Sequence, residues 1–247
     1  MRSRFHKVGG PRVLLTGGTS GLGLAVVAEL QQRGAQIAFV ARNRERVELV
    51  AAEYPGTHGI VGDVANKQDI HAIAMQAVGV LGGIDILINN ASSLGPVPLA
   101  LLGDTECEDF ELALATNVLG PFRLTKALLG ALAASAREGQ DGRDGRQAVV
   151  LNIISDAALN AYAGWGAYSA SKAALRHMTA VWDQELAEQG VRLLAIDPGD
   201  MDTPLHALAL PDADRSSLKR PQDAARELVD AIAAAMAGEA KPEGRIA

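Results

Sequence analysis

The chain has 247 residues, is 48% hydrophobic and carries a formal net charge of −6. That suits one domain with a sizeable core and argues against nucleic acid as a partner, a local basic patch aside. No stretch approaches the ~20 apolar residues of a membrane span, and the single cysteine, Cys107, excludes an intrachain disulfide and fits a reducing compartment, with the cytoplasm as the expected location.

The basic start, Met1 to Lys7, has no apolar core after it and so is not a secretory signal. Residues 1–10 read as a flexible tail. Beyond them, short Val/Ile/Leu runs predict strands at 12–16, 36–41, 58–62, 84–89, 148–154 and 191–196. Helical patterns fill the gaps at 22–33, 43–53, 67–80, 106–136, 167–189 and 221–237. Alternating β and α predicts a single α/β domain, a doubly wound parallel sheet with helices on both faces. Two segments read as loops, the polar 137–147 and the Pro-containing 199–220. In such sheets ligands bind beyond the carboxyl ends of the strands. Gly17, Asp63, Asn89, Ser155 and Pro198 all fall at or just after those ends. No Cys/His cluster has metal-ligand spacing.

The first strand runs into Thr16-Gly17-Gly18-Thr19-Ser20-Gly21-Leu22-Gly23 and then a helix. A glycine turn in that position brings backbone N–H groups and a helix N-terminus to a pyrophosphate. The spacing is Gly-x-x-x-Gly-x-Gly, and the alternative is a tight turn only. An NAD site usually has a carboxylate about 20 residues further on. Here the second strand ends in Val40-Ala41-Arg42-Asn43-Arg44, with no acid until Glu45. Arg42 can pair with a 2′-phosphate and stack on adenine; the alternative is a solvated arginine opening a helix. The expected cofactor is NADP(H) in preference to NAD(H).

Tyr168 and Lys172 stand four residues apart, thirteen after Ser155. On a helix they share a face, one turn apart. A converging phenol, ammonium and hydroxyl are the parts for moving a proton to or from a carbonyl oxygen. Tyrosine titrates near ~10, so work at neutrality needs a shift of ~3 units, ~4 kcal/mol, and a nearby cation such as Lys172 favours the phenolate. Asn117 precedes Pro121 by four residues in one predicted helix. Proline has no N–H to give the Asn117 carbonyl, which frees that carbonyl for water or simply kinks the helix.

Taken together, Thr16–Gly23, Asp63-Val64, Asn89-Asn90-Ala91, Asn117, Ser155, Tyr168-x-x-x-Lys172 and Pro198-Gly199 with Thr203 resemble the short-chain dehydrogenase/reductase family over nearly the whole chain. The resemblance implies an NADP-dependent oxidoreductase interconverting a carbonyl and an alcohol by hydride transfer. It makes Tyr168 the general acid or base. Lys172 holds the nicotinamide ribose and lowers the tyrosine pKa. Ser155 bonds the substrate oxygen, and Asn117 fixes a relay water. The cofactor is held by Thr16, Gly17, Thr19, Ser20, Gly21, Leu22, Gly23 and Arg42. Asp63 and Val64 lie at the adenine, Asn89 and Ala91 under the ribose, and Pro198, Gly199 and Thr203 at the carboxamide. Ser92 stands where the family commonly has glycine.

The resemblance also makes 199–220 a flap over substrate and places a seventh strand near Gly244–Ala247, where it is very short or the chain is cut. It makes helices 106–136 and 167–189 the faces of a homodimer or homotetramer. Tyr162 to Tyr168, Asp200 to Thr203 and Asn89 to Gly95 look like the sepiapterin/benzil reductase branch, which implies a small-molecule carbonyl that is bulky or aromatic. A nonenzymatic NADP(H) sensor is the rival reading, and a sugar-nucleotide epimerase the second. Asp156 reads mainly as loop-ordering, and Tyr162 and Trp165 as pocket-lining or structural aromatics. His206 and His177 read as surface histidines, and Asp197 as a cap or partner at its strand end.

Overall fold

The computed structural model describes residues 10–141, 146–239 and 243–245. Six parallel strands form the sheet: β1 (Arg12–Thr16), β2 (Gln36–Ala41), β3 (Thr57–Val61), β4 (Ile86–Asn89), β5 (Ala148–Ile153) and β6 (Val191–Asp197). A three-residue β7 (Glu243–Arg245) pairs along the edge of β6. The order is β3-β2-β1-β4-β5-β6-β7. The chain therefore reverses its direction of travel between β1 and β4, where a crevice opens at the strands' carboxyl ends.

Strand side chains alternate between the two faces, and here both faces are dry. Val13 and Leu15 join Ile37 and Phe39 in one core with α1 (Gly21–Gln32), α2 (Arg44–Glu53) and α8 (Pro221–Met236). Leu14 joins Ala38 and Val40 in the other, with α3 (Asp69–Leu81) and α5 (Gly120–Asp141). The end of α6 (Gly166–Leu186) closes this second layer through Leu186 and Trp182. Each such Leu or Ile contributes ~1.5–3 kcal/mol by leaving water, which is why the strands read as unbroken apolar runs. Among the described residues no helix is long and apolar enough to cross a membrane.

Boundaries follow local chemistry. The Asn43 side chain accepts from Arg46 N–H and starts α2. Gly82, at φ 73°, ends α3 in the left-handed conformation.

Three expectations need correction. The helix expected over 106–136 is α4 (Cys107–Leu114), a π-helical turn (Ala115–Leu119) and then α5. Gly120 N–H donates to Ala115 O, a five-residue step. With no Pro121 N–H to continue the ladder, the wider turn absorbs the fault. The segment 137–147 is not all loop: α5 runs on to Asp141, and residues 142–145 lie outside the described residues. A helix can carry polar residues on its solvent side, and Glu138 there pairs with Arg12 Nη2 at 3.1 Å. Lastly, 199–220 is not all loop: it contains α7 (Pro204–Ala209). It is fastened by a Met201–Lys219 bridge and an Asp202–Arg215 ion pair at 2.5 Å. Of the expected tail, residues 1–9 lie outside the described residues, while Gly10 is buried, with a Cβ there meeting Gly34 O.

Candidate active site

The crevice between β1 and β4 is walled on one side by the glycine turn. Gly17 N–H donates to Val40 O at 2.8 Å and locks the turn to the end of β2. Gly17 and Gly21 have φ of 74° and 50°, a region that favours glycine. A Cβ on Gly23 would lie 2.0 Å from Gly17 O, so helix and turn touch backbone to backbone. Asn90 Nδ2 donates to Thr16 O at 2.9 Å and Gly17 O at 3.3 Å. Thr16 Oγ1 accepts from both Asn90 and Ala91 N–H at 3.0 Å. The turn is thus tied to the end of β4.

The N-cap of α1, Ser20, makes no side-chain capping bond. The first bond within this helix is Leu24 N–H to Ser20 O, so the N–H groups before Leu24 have no helical acceptor. An uncapped helix start beside a glycine turn fits a pyrophosphate. Exposed Arg42 at the end of β2 lines the same cleft with Asn43, Asp63 and Val64. Asp63 turns its carboxylate to its own loop, accepting from Ala65 N–H at 2.9 Å.

The opposite wall comes from β5, α6 and the π turn. Ser155 follows β5, and Tyr168 and Lys172 lie one turn apart on α6. Tyr168 is 8% exposed and Lys172 2%. Lys172 Nζ donates to Ile153 O at 2.8 Å and sits 5.5 Å from the centroid of the Tyr168 ring. Ser155 and Ser92 line the same cleft as Tyr168; their hydroxyls donate to Asp156 Oδ1 at 3.0 Å and Asn117 Oδ1 at 3.2 Å.

Asn117 is fully buried in the π turn. Its Nδ2 donates to Ser93 O at 2.7 Å and Ser171 Oγ at 2.8 Å. Its Oδ1 accepts from Ser93 N–H at 2.8 Å and Ser92 Oγ at 3.2 Å. This side chain is a four-way clamp between the loop after β4 and α6.

Electrostatics depart from the expectation that Lys172 lowers the tyrosine pKa. Burial pushes Tyr168 up to about 12; the nearby Ser155 and Ser92 hydroxyls oppose that rise, and Asp197 and Asp156 add to it. Burial likewise pushes Lys172 down to about 7. A lysine so desolvated carries only part of its charge at neutrality.

Gly17, Thr19, Ser20, Gly21, Leu22, Gly23, Arg42, Asp63, Val64, Ala91, Ser155, Tyr168, Lys172, Pro198, Gly199 and Thr203 all line one cleft. Three expected residues do not. Thr16 and Asn117 act from behind the wall through the bonds above. Asn89, expected under the ribose, points its side chain into the sheet's helical layer, where Nδ2 donates to Asn152 Oδ1 at 2.8 Å. Asn90 and Ala91 stand at the cleft instead. Asn-Asn cannot say which of two adjacent side chains faces which way; the register of β4 decides it. Thr203 caps α7, accepting from His206 N–H at 3.2 Å, and packs toward Gly21. Sequence reasoning missed the apolar wall of Leu94, Leu112, Leu205 and Leu208 beside Trp165. His206, read as a surface residue, also lines this cleft.

Comparison with known proteins gives one consistent result. A family model described as short chain dehydrogenase matches residues 11–213. A 2-(R)-hydroxypropyl-CoM dehydrogenase from Xanthobacter autotrophicus is 30% identical over 78% of this chain and 75% of its own length. An uncharacterized oxidoreductase from Thermotoga maritima is 34% identical over 77% of this chain and 71% of its own. The crystal structure of a 3-ketoacyl-(acyl-carrier-protein) reductase from Brucella melitensis, complexed with NADH, superposes with a TM-score of 0.83. It is 25% identical and covers 97% of each chain.

Proposed function

We propose that this chain, which belongs to the short-chain dehydrogenase family and is an NAD(P)-dependent oxidoreductase, reduces the ketone of a bulky apolar or aromatic compound to a secondary alcohol. NADP(H) is its preferred cofactor. The observation that carries this reading is the buried Tyr168, whose ring centroid is 5.5 Å from Lys172 Nζ, beside Ser155 and across one cleft from the glycine turn.

When bound, the nicotinamide supplies the hydride. The chain's residues do the rest. The turn Gly17–Gly23 and the α1 N-terminus hold the pyrophosphate, and Arg42 takes the 2′-phosphate. Ser155 donates to the substrate carbonyl oxygen and polarises it. Tyr168 gives that oxygen its proton. A phenol pushed up to about 12 stays protonated at neutral pH, which is the form a general acid needs, so the site favours reduction over oxidation. The Asn117 carbonyl, without a Pro121 N–H, is the anchor for a relay water.

The substrate class follows from the wall. Leu94, Leu112, Trp165, Leu205 and Leu208 offer apolar area and few polar groups. One relative is named as the dehydrogenase of a 2-hydroxypropyl group, a secondary alcohol, which fits a ketone–alcohol pair. Exposed Leu119 in the π turn and Val181 on α6 support a twofold assembly through these helices.

The test is NADPH oxidation against diketones, quinones, ketosteroids, pterins and 3-ketoacyl thioesters, with Tyr168→Phe alongside. Turnover should fall ~10²–10⁴-fold in the variant while NADPH binding persists. Binding with no turnover on any carbonyl would favour a nonenzymatic NADP(H) sensor.

A further inference from the structure

Leu101, Leu102, Leu159, Tyr162, Leu208 and Leu210 are large apolar side chains that stand exposed. They belong to the three segments that leave the carboxyl ends of β4, β5 and β6. Those strands are neighbours in the sheet, so the segments surround one end of it. A small core of Leu94, Ala157, Tyr168 and Ala209 takes at least one residue from each segment and ties them together. Leu102 is 63% exposed, yet it is seated on the start of α6, where a Cβ on Gly166 would lie 2.3 Å from it. Single exposed apolar residues need no explanation, but a rim of them held around a cleft does.

The rim continues the wall of the cleft. Leu112 and Leu208 line the cleft and are also 42% and 54% exposed, so the apolar surface passes out through the mouth. The cleft measures about 550 Å³, the size of a pocket for one small ligand, and it has to take the nucleotide beside the substrate. The far end of a long substrate therefore lies outside, on the rim. Charge narrows what that end is. Asp104, Glu106, Glu108, Asp109 and Glu111 follow Leu102, and residues 94–114 contain no Lys or Arg. In the third segment Arg215, Lys219 and Arg220 are each paired with a carboxylate, those of Asp202, Glu227 and Asp223. A carboxylate or phosphate at the end of the substrate would meet like charge here; a hydrocarbon would not.

We propose that the substrate carries a straight, uncharged alkyl chain, which leaves the cleft past Leu112 and Leu208 and lies on the rim of Leu101, Leu102, Leu159 and Leu210. This rests on the cleft taking the carbonyl end. Each methylene that the rim takes out of water adds to affinity, about fourfold when it is fully covered. The chain thus selects its substrate by length as well as by the carbonyl, and selects against acidic chain ends.

The experiment measures binding of straight-chain methyl ketones, from butanone to undecanone, with NADP+ present so that no turnover intervenes. Trp165 lines the cleft and reports by fluorescence. Trp182, stacked on Phe122, gives a constant background. Past the length that the cleft holds, Kd should go on falling by about two- to fourfold per CH2 in the parent. In the double variant Leu101→Ser/Leu159→Ser the fall should stop at that length, while butanone binds as in the parent. Both positions are exposed, so the fold is kept. The same chain ending in a carboxylate should bind the parent at least ~10-fold more weakly. An equal slope in both proteins, no slope in the parent, or equal binding of the carboxylate overturns the proposal. So does rim-dependent binding to phosphatidylcholine vesicles, or a loss of oligomeric mass in the variant, because these assign the rim to a bilayer or to a second copy. Tyr168→Phe should keep the slope. Undiminished turnover in that variant removes the acid–base role and leaves the rim result standing.

Discussion

Asn89 and Asn152 face one another across β4 and β5, and Asn89 Nδ2 donates to Asn152 Oδ1 at 2.8 Å. Asn152 Nδ2 passes the chain to Thr179 Oγ1 at 2.8 Å, and Thr179 Oγ1 donates to Leu175 O at 2.7 Å. All three side chains are at least 96% buried. The ladder runs from the strand that ends at the cleft to the helix that carries Tyr168 and Lys172, and so fixes the distance between the two walls.

Asn152→Ala should therefore cost ~2–3 kcal/mol. It leaves the Asn89 amide and the Thr179 hydroxyl short of a partner in a dry layer. Urea denaturation checks the stability, and kcat with KM on any working substrate should show the walls displaced.

Arg42→Ala should weaken NADPH binding at least ~10-fold and leave NADH binding within about twofold. One charge-assisted bidentate contact is worth ~1.5–3 kcal/mol, and only NADPH carries the phosphate that receives it. Fluorescence titration with the two nucleotides reads the ratio.

Lys172 gives the fold a pH dependence of defined sign. Its folded pKa is depressed to about 7 by burial, while the unfolded lysine titrates near ~10.4. Between those values the unfolded chain binds the proton and the native chain does not, so stability rises with pH. The contribution is full above the unfolded pKa and is lost as pH falls through the folded one. Tyr168, raised to about 12, works oppositely and only above ~10. Denaturation midpoints from pH 7 to 9.5 should climb in the parent relative to Lys172→Met, by roughly 1–3 kcal/mol after discounting for relaxation around the buried charge.

Two glycines should respond in opposite ways. Gly23→Ala puts a Cβ 2.0 Å from Gly17 O and 2.6 Å from Asn90 Nδ2, so the turn must open. Loss of nucleotide binding and a drop of ~2 kcal/mol or more follow. Gly79 in α3 is exposed with open space around its Cβ position. Gly79→Ala should stabilise by ~0.5–1 kcal/mol through helix propensity. Thermal unfolding of both variants checks the pair.

The central strands were legible because both their faces are buried and their runs are mostly apolar; β3, at the sheet edge, is exposed at His58 and Gly59. The helical patterns expected at 43–53 and 221–237 match α2 and α8 to within one residue at each end. Glycines that need positive φ, and a tyrosine and lysine at helical spacing, were legible for the same reason: local backbone geometry restricts which residues fit. Helix α7 was not, since six residues with one proline carry little periodicity and its capping Thr203 was read as a ligand contact.

The sequence by itself determined the alternation of strands and helices, the glycine turn, and Tyr168 and Lys172 one turn apart on a helix, because those depend on neighbours a few residues away. Only the tertiary structure decided that Asn89 turns inward while Asn90 clamps the turn. It alone decided that Asn117 locks the loop carrying Ser92, and that burial drives the Tyr168 pKa up and the Lys172 pKa down, each toward its own neutral form. Those outcomes depend on register and desolvation between segments dozens of residues apart, and neither is encoded in any local stretch of the chain.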